Sequence, residues 1–157
     1  MKLRYCIECL VALLLLVATP MEAHHWVNKL PGYSYSVAYN PRNTQTIYAG
    51  QGLTLSVSYN AGETWSTLTS FNDPADGIRF ITIHPVDTTI MFAGAVQLWG
   101  TTNAGMTWVK VIDGVLYDGE SLIVDWQSPN RVYTAGLLGG FRRSTDGGVT
   151  WAITPGT

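Results

Sequence analysis

The sequence predicts an all-β protein assembled from three copies of one four-stranded unit. Three observations predict it. An eight-residue signature occurs three times: Ser58–Trp65 (S-Y-N-A-G-E-T-W), Thr101–Trp108 (T-T-N-A-G-M-T-W) and Ser144–Trp151 (S-T-D-G-G-V-T-W). Aligned on Asn60, Asn103 and Asp146, the copies lie 43 residues apart in both steps. Between them run short apolar segments bounded by Gly, Pro and Asn, and no stretch after residue 23 has helical periodicity.

The elements follow in order. Residues 1–23 read as a secretory signal: Lys2 and Arg4 are basic, Cys9 to Ala18 is an apolar run, and Met21-Glu22-Ala23 ends in a small residue. That run is shorter than the roughly 20 residues a membrane-spanning helix needs. Within residues 24–33, Trp26–Leu30 is similar to the segments after each signature and reads as the last strand of a preceding unit. The first unit, about 34–68, places strands at Ser34–Tyr39, Thr46–Ala49, Leu53–Ser58 and Thr64–Leu68. The second, about 78–111, places them at Arg79–Ile83, Ile90–Ala93, Gln97–Thr101 and Thr107–Val111. The third, about 121–154, places them at Leu122–Trp126, Arg131–Ala135, Gly140–Arg143 and Thr150–Ile153.

The repeat extends beyond the signature. Pro41, Pro85 and Pro129 mark the first turn of each unit, where His84 aligns with Asn40 and Gln127. Ala49-Gly50, Ala93-Gly94 and Ala135-Gly136 close the second strand. Four short strands in about 43 residues is the size of one propeller blade.

Each signature has a physical logic. Ser58, Thr101 and Ser144 open it; Asn60, Asn103 and Asp146 can bond to nearby backbone N–H groups and hold the turn. Gly62, Gly105 and Gly148 stand where a left-handed backbone needs a residue without Cβ. Thr64, Thr107 and Thr150 restart extended chain, and Trp65, Trp108 and Trp151 bring a large apolar ring whose N–H needs an acceptor.

These residues resemble the Asp-box, or bacterial neuraminidase repeat, S-x-D-x-G-x-T-W. The third copy matches every fixed position; the first two carry Asn for Asp, and the second also Thr for Ser. The wider pattern of apolar strand, Pro, Y/F-A-G and box is similar to blades of xyloglucanase-type glycoside hydrolases and of sortilin-like proteins, over roughly residues 34–154. The resemblance implies a partial β-propeller of three Asp-box blades, with the boxes on the outer edge away from any ligand site. The boxes are therefore structural and are not expected to be catalytic.

Three blades are fewer than the roughly four to eight of a closed propeller and leave two sheet faces uncovered. Three resolutions follow: a fragment of a longer propeller, two chains forming a six-bladed ring, or an arc whose ends a partner protein covers.

Composition narrows the function. The net charge is −2 and no basic cluster exceeds Arg142-Arg143, which gives nucleic-acid binding no support. Both cysteines, Cys6 and Cys9, fall within the signal, so the mature chain forms no disulfide. No cofactor or metal is expected: His24, His25 and His84 are the three histidines, and His84 falls in a turn.

By the resemblance, a ligand would sit on the face opposite the boxes. The loops there carry Asp73, Asp76, Asp113, Asp118 and Glu120, of which Asp73, Asp76, Asp118 and Glu120 are candidate catalytic carboxylates. Phe71, Tyr117 and Trp99 are candidate rings for stacking on a sugar. Acidic loop residues are also ordinary turn formers, and no pair stands at a spacing that demands hydrolysis. Sialidase activity is disfavoured: Arg42, Arg79, Arg131 and Arg142 exist, but no R-I-P motif precedes the first box.

The expectation is a secreted or periplasmic propeller module with a non-catalytic binding or assembly role. The alternatives are a truncated or oligomeric glycoside hydrolase of the xyloglucanase or sialidase type and a lectin-like sugar-binding ring. Expected partners are a second copy, a protein or a glycan, with no nucleic acid and no membrane span after signal cleavage.

Overall fold

A computed structural model describes residues 29–30, 32–72, 77–94, 96–112, 121–136 and 140–154. Among them the chain forms twelve strands and no helix, arranged as three four-stranded antiparallel sheets. The first sheet holds β1 (Ser34–Asn40), β2 (Asn43–Gln51), β3 (Thr54–Ser58) and β4 (Ser66–Ser70). The second holds β5 (Phe80–Ile83), β6 (Met91–Gly94), β7 (Leu98–Thr101) and β8 (Val109–Ile112). The third holds β9 (Ser121–Val124), β10 (Val132–Gly136), β11 (Gly140–Ser144) and β12 (Ala152–Thr154). Strand order within each sheet follows the sequence, which makes each a meander.

The fourth strands start two residues later than the sequence suggested. Thr64, Thr107 and Thr150 spend their backbone N–H groups on the turn, not on the ladder. Two of these strands also carry a bulge, with Leu68 the extra residue opposite Leu55/Ser56 and Val111 that opposite Leu98/Trp99.

The ladders fix equivalent positions. Ile47, Met91 and Val132 pair with Ser58, Thr101 and Ser144 respectively. Thr134, not Ala135, is thus the counterpart of Ala49 and Ala93, and the Ala-Gly of the third unit falls one residue late. The third unit also differs at its first strand: β9 ends at Val124, and Trp126 is an exposed residue of the following turn. Lys29 and Leu30 lie outside any strand, and Lys29 Nζ pairs with Glu63 of the first octapeptide turn at 2.9 Å. Residues 1–28, with the signal-like segment and Trp26, lie outside the described residues.

Side chains alternate across each strand, so every sheet has a leading face toward the next sheet and a trailing face toward the one before. On the leading face of the first sheet stand Ala38, Tyr48, Leu55 and Val57. They pack against Ile81, Ile83, Met91 and Ala93 on the trailing face of the second. From its leading face Phe80, Phe92 and Leu98 meet Leu122, Val124 and Val132 of the third. The core is therefore two apolar layers between three sheets. The closest approach is by the first strands, β5 on β1 and β9 on β5. Side-chain hydroxyls cross the same seams: Ser36 Oγ donates to the Ile78 carbonyl at 2.9 Å, and Thr82 Oγ1 to that of Leu122 at 3.0 Å.

Close packing explains Gly94. A Cβ there would stand 2.0 Å from two atoms of the Phe80 ring, its ladder partner.

Candidate functional site

The three octapeptide turns share one hydrogen-bond plan. In the first, Ser58 Oγ accepts from the N–H of Asn60 (3.3 Å) and of Gly62 (2.8 Å) and donates to Asn60 Oδ1 at 2.9 Å. Asn60 Oδ1 also accepts the Thr64 N–H at 2.9 Å. Trp65 Nε1 closes the turn by donating to the Gly62 carbonyl at 2.9 Å. Thr101, Asn103 and Trp108 repeat the pattern, as do Ser144, Asp146 and Trp151.

The copies differ in polarity at one bond. Asn60 and Asn103 donate their amide N–H to the hydroxyls of Thr64 and Thr107, at 2.9 and 2.8 Å. Asp146 has no such donor, and its Oδ2 instead accepts the Thr150 hydroxyl. The bonds from Thr150, then from Ser144 and Val149, hold the Asp146 carboxyl down at about 2. The Ser58, Thr101 and Ser144 hydroxyls, the Asn60, Asn103 and Asp146 side chains and the three indole N–H groups are thus all engaged within their own turns.

The first turn of each unit is capped in a parallel way. Asn40 Oδ1 accepts the N–H groups of Arg42 and Asn43, and Asp125 Oδ1 those of Gln127 and Ser128. His84 does the same with Nδ1, accepting from Val86 (3.3 Å) and Asp87 (2.9 Å). This leaves the ring proton on Nε2. The counterpart of His84 in the third unit is thus Asp125, not Gln127. His84 is buried and lines a cleft of about 620 Å³ with Ser128, Asn130, Arg131 and Thr145. Asp87 is held below the usual carboxylate range, first by the Thr89 hydroxyl and then by the Thr89 N–H. Glu63, Asp87, Asp125 and Asp146 are the described carboxylates, and each is engaged in a turn or an ion pair. No three His, Cys, Asp or Glu among the described residues stand close enough to hold a metal. Arg42 Nε donates to the Val86 carbonyl at 2.9 Å and so ties the first turns of neighbouring units together.

The candidate ligand residues fare differently. Asp73, Asp76, Asp113, Tyr117, Asp118 and Glu120 lie outside the described residues, as do His24 and His25. Phe71 and Trp99 are brought together, with ring centres 5.2 Å apart, but in the core. Phe71 is buried, and its ring also meets the Trp108 ring edge-on at 5.2 Å. The reason is local: the Phe71 N–H donates to the Leu53 carbonyl at 2.9 Å, which turns the chain inward so that the ring wedges between two sheets. Phe71 therefore has no free face for a sugar. Trp99 is partly buried on the same layer, with Lys110 Nζ 6.0 Å from its ring.

A second cleft, of about 360 Å³, separates β8 from the third octapeptide turn. It exists because Gly100 and Val111 stand at the ladder positions that Val57 and Leu68 occupy in the first unit. Sequence reading missed it, because the two substitutions are visible only once register is known.

No protein-family model and no curated protein matches the sequence. Solved structures do resemble it. The GH74 xyloglucanase from Xanthomonas campestris superposes with a TM-score of 0.67 at 17% identity, covering 79% of this chain and 24% of that one. The GH74 enzyme from Niastella koreensis gives 0.62 at 21% identity, covering 79% and 18%. YCF48 from Cyanidioschyzon merolae gives 0.59 at 15% identity, covering 78% and 38%. The chain spans less than half the length of each. What these likenesses and the three meanders establish together is the fold: a partial β-propeller of three blades.

Proposed function

We propose that this chain is an extracytoplasmic Asp-box propeller module that binds or assembles with other molecules and performs no catalysis of its own. The observation that supports this reading is the state of the carboxylates among the described residues, which do not include Asp73, Asp76, Asp118 and Glu120. Glycoside hydrolysis needs two carboxyl groups facing one bond, one of them free to hold a proton. Glu63, Asp87, Asp125 and Asp146 are each engaged in a turn or an ion pair. The extracytoplasmic location rests on the signal-like residues 1–23.

The second reading is a glycoside hydrolase. It is favoured by the likeness to xyloglucanases and would draw on Asp73, Asp76, Asp118 or Glu120. Incubation of folded protein with xyloglucan and a panel of other glycans separates the two. The expected outcome is no release of reducing sugar. Release that Asp73→Ala, Asp76→Ala or Asp118→Ala abolishes would establish the enzyme and end the first reading.

A further inference from the structure

We propose that the two end faces of the arc are halves of one interface, and that a second copy of this chain covers both. The molecule already makes this interface twice. In each case an aromatic residue of a second strand, Tyr48 or Phe92, lies on the leading face. It packs toward two aliphatic residues on the next first strand: Ile81 and Ile83, or Leu122 and Val124. The ladder places Tyr133 at the position of Tyr48 and Phe92, beside Ile123, with Phe141 at that of Leu55 and Leu98. At the other end it places Val37 and Tyr39 at the positions of Ile81 and Ile83.

These residues keep the chemistry of a covered face while lying open. Ile123 is 62% exposed, Phe141 44%, Val37 70% and Tyr39 61%. Tyr133 and Phe141 are already stacked, with centroids 5.9 Å apart, as a preformed platform. Neighbouring blades meet mainly through first strands, so the β1 face is the part a docking blade needs.

A leading face on a trailing face is a head-to-tail contact, which either closes into a ring or runs on as a filament. Two copies supply six blades, within the roughly four to eight of closed propellers. The closed dimer therefore uses both ends of both chains.

Light scattering on the purified chain tests this. The expected mass is twice that of one chain. Phe141→Glu blocks the leading end and Val37→Glu the trailing end; each alone should give monomers. Mixed one to one, at several-fold higher concentration because one interface replaces two, they should return to the doubled mass. Each variant supplies the face that the other lacks. Ile123→Asp is a second block of the leading end, and unchanged circular dichroism shows that the sheets persist. A wild-type monomer overturns the proposal. A dimer that survives Phe141→Glu, or a mixture that stays monomeric, also overturns it. Glycan hydrolysis has no bearing on these outcomes, so the proposal stands or falls apart from the functional reading.

Discussion

Asp146 accepts a hydrogen bond from the hydroxyl of Thr150 at the point where Asn60 gives one to Thr64. The turn thus tolerates either direction of that bond, because a threonine hydroxyl can donate or accept. The two solutions differ in one respect: the aspartate titrates and the asparagines do not.

That difference sets a pH dependence. The Asp146 carboxyl is lowered from 3.8 to about 2 by the bonds from Thr150, Ser144 and Val149. A depressed value in the folded state means stabilisation that is complete above the unfolded value and lost as pH falls through the folded one. The third turn should weaken between about pH 4 and 2, whereas the first two should not. Thermal midpoints measured from pH 6 to 2 should fall less steeply in Asp146→Asn than in the parent. The slope left over belongs in part to Asp87, which Thr89 also holds low. An unchanged slope in Asp146→Asn would remove the carboxyl from the acid response.

Backbone strain gives a second expectation. Ala61 and Ala104 both have φ of +56°, where the third copy has Gly147 at +74°. A left-handed alanine costs roughly 1–2 kcal/mol relative to its preferred regions. Glycine relieves this but adds freedom to the unfolded chain worth about 0.4–1 kcal/mol. Ala61→Gly and Ala104→Gly should each stabilise by up to about 1 kcal/mol, and Gly147→Ala should destabilise by a similar amount. Urea denaturation checks the sign. Loss of stability in both glycine variants would contradict the strained conformation.

The contact of Gly94 with Phe80 gives a third. Gly94→Ala drives a methyl to 2.0 Å from the ring and should cost roughly 1–3 kcal/mol, as overpacking does. Phe80→Leu removes the ring edge and opens space. The double variant should then be more stable than the sum of the single losses predicts, because the two positions touch. Strict additivity in the urea midpoints would show that the ring moves aside freely.

Much of this architecture could be read from residue order. The signature carries its own closing bonds, so S/T-x-N/D-x-G-x-T-W reports its conformation without help from the rest of the chain. The strands between signatures were legible for the same reason, since alternation and turn residues are local. What escaped was set by register. Ala135-Gly136 looks like Ala49-Gly50, yet the ladder puts Thr134 at the alanine position. Asp125 escaped because a cap is defined by where an oxygen points, and His84 fills the same post with a nitrogen. Phe71 escaped because an aromatic residue in a loop has the same sequence context whether it faces water or the core. The bond from its N–H to Leu53 and the contacts of its ring with Trp99 and Trp108 place it in the core. For the loop carboxylates, Asp73, Asp76, Asp118 and Glu120, the sequence remains the source of the assignment.

Ser36 reaching the Ile78 carbonyl and Thr82 reaching that of Leu122 give every seam the same direction. Such a stack has a sense of travel, like bricks with a stud on one side and a socket on the other. Inserting or removing one whole brick leaves the terminal stud and socket as they were. Gene duplication or unequal recombination at the 43-residue period could therefore lengthen or shorten this protein without inventing a new mating surface.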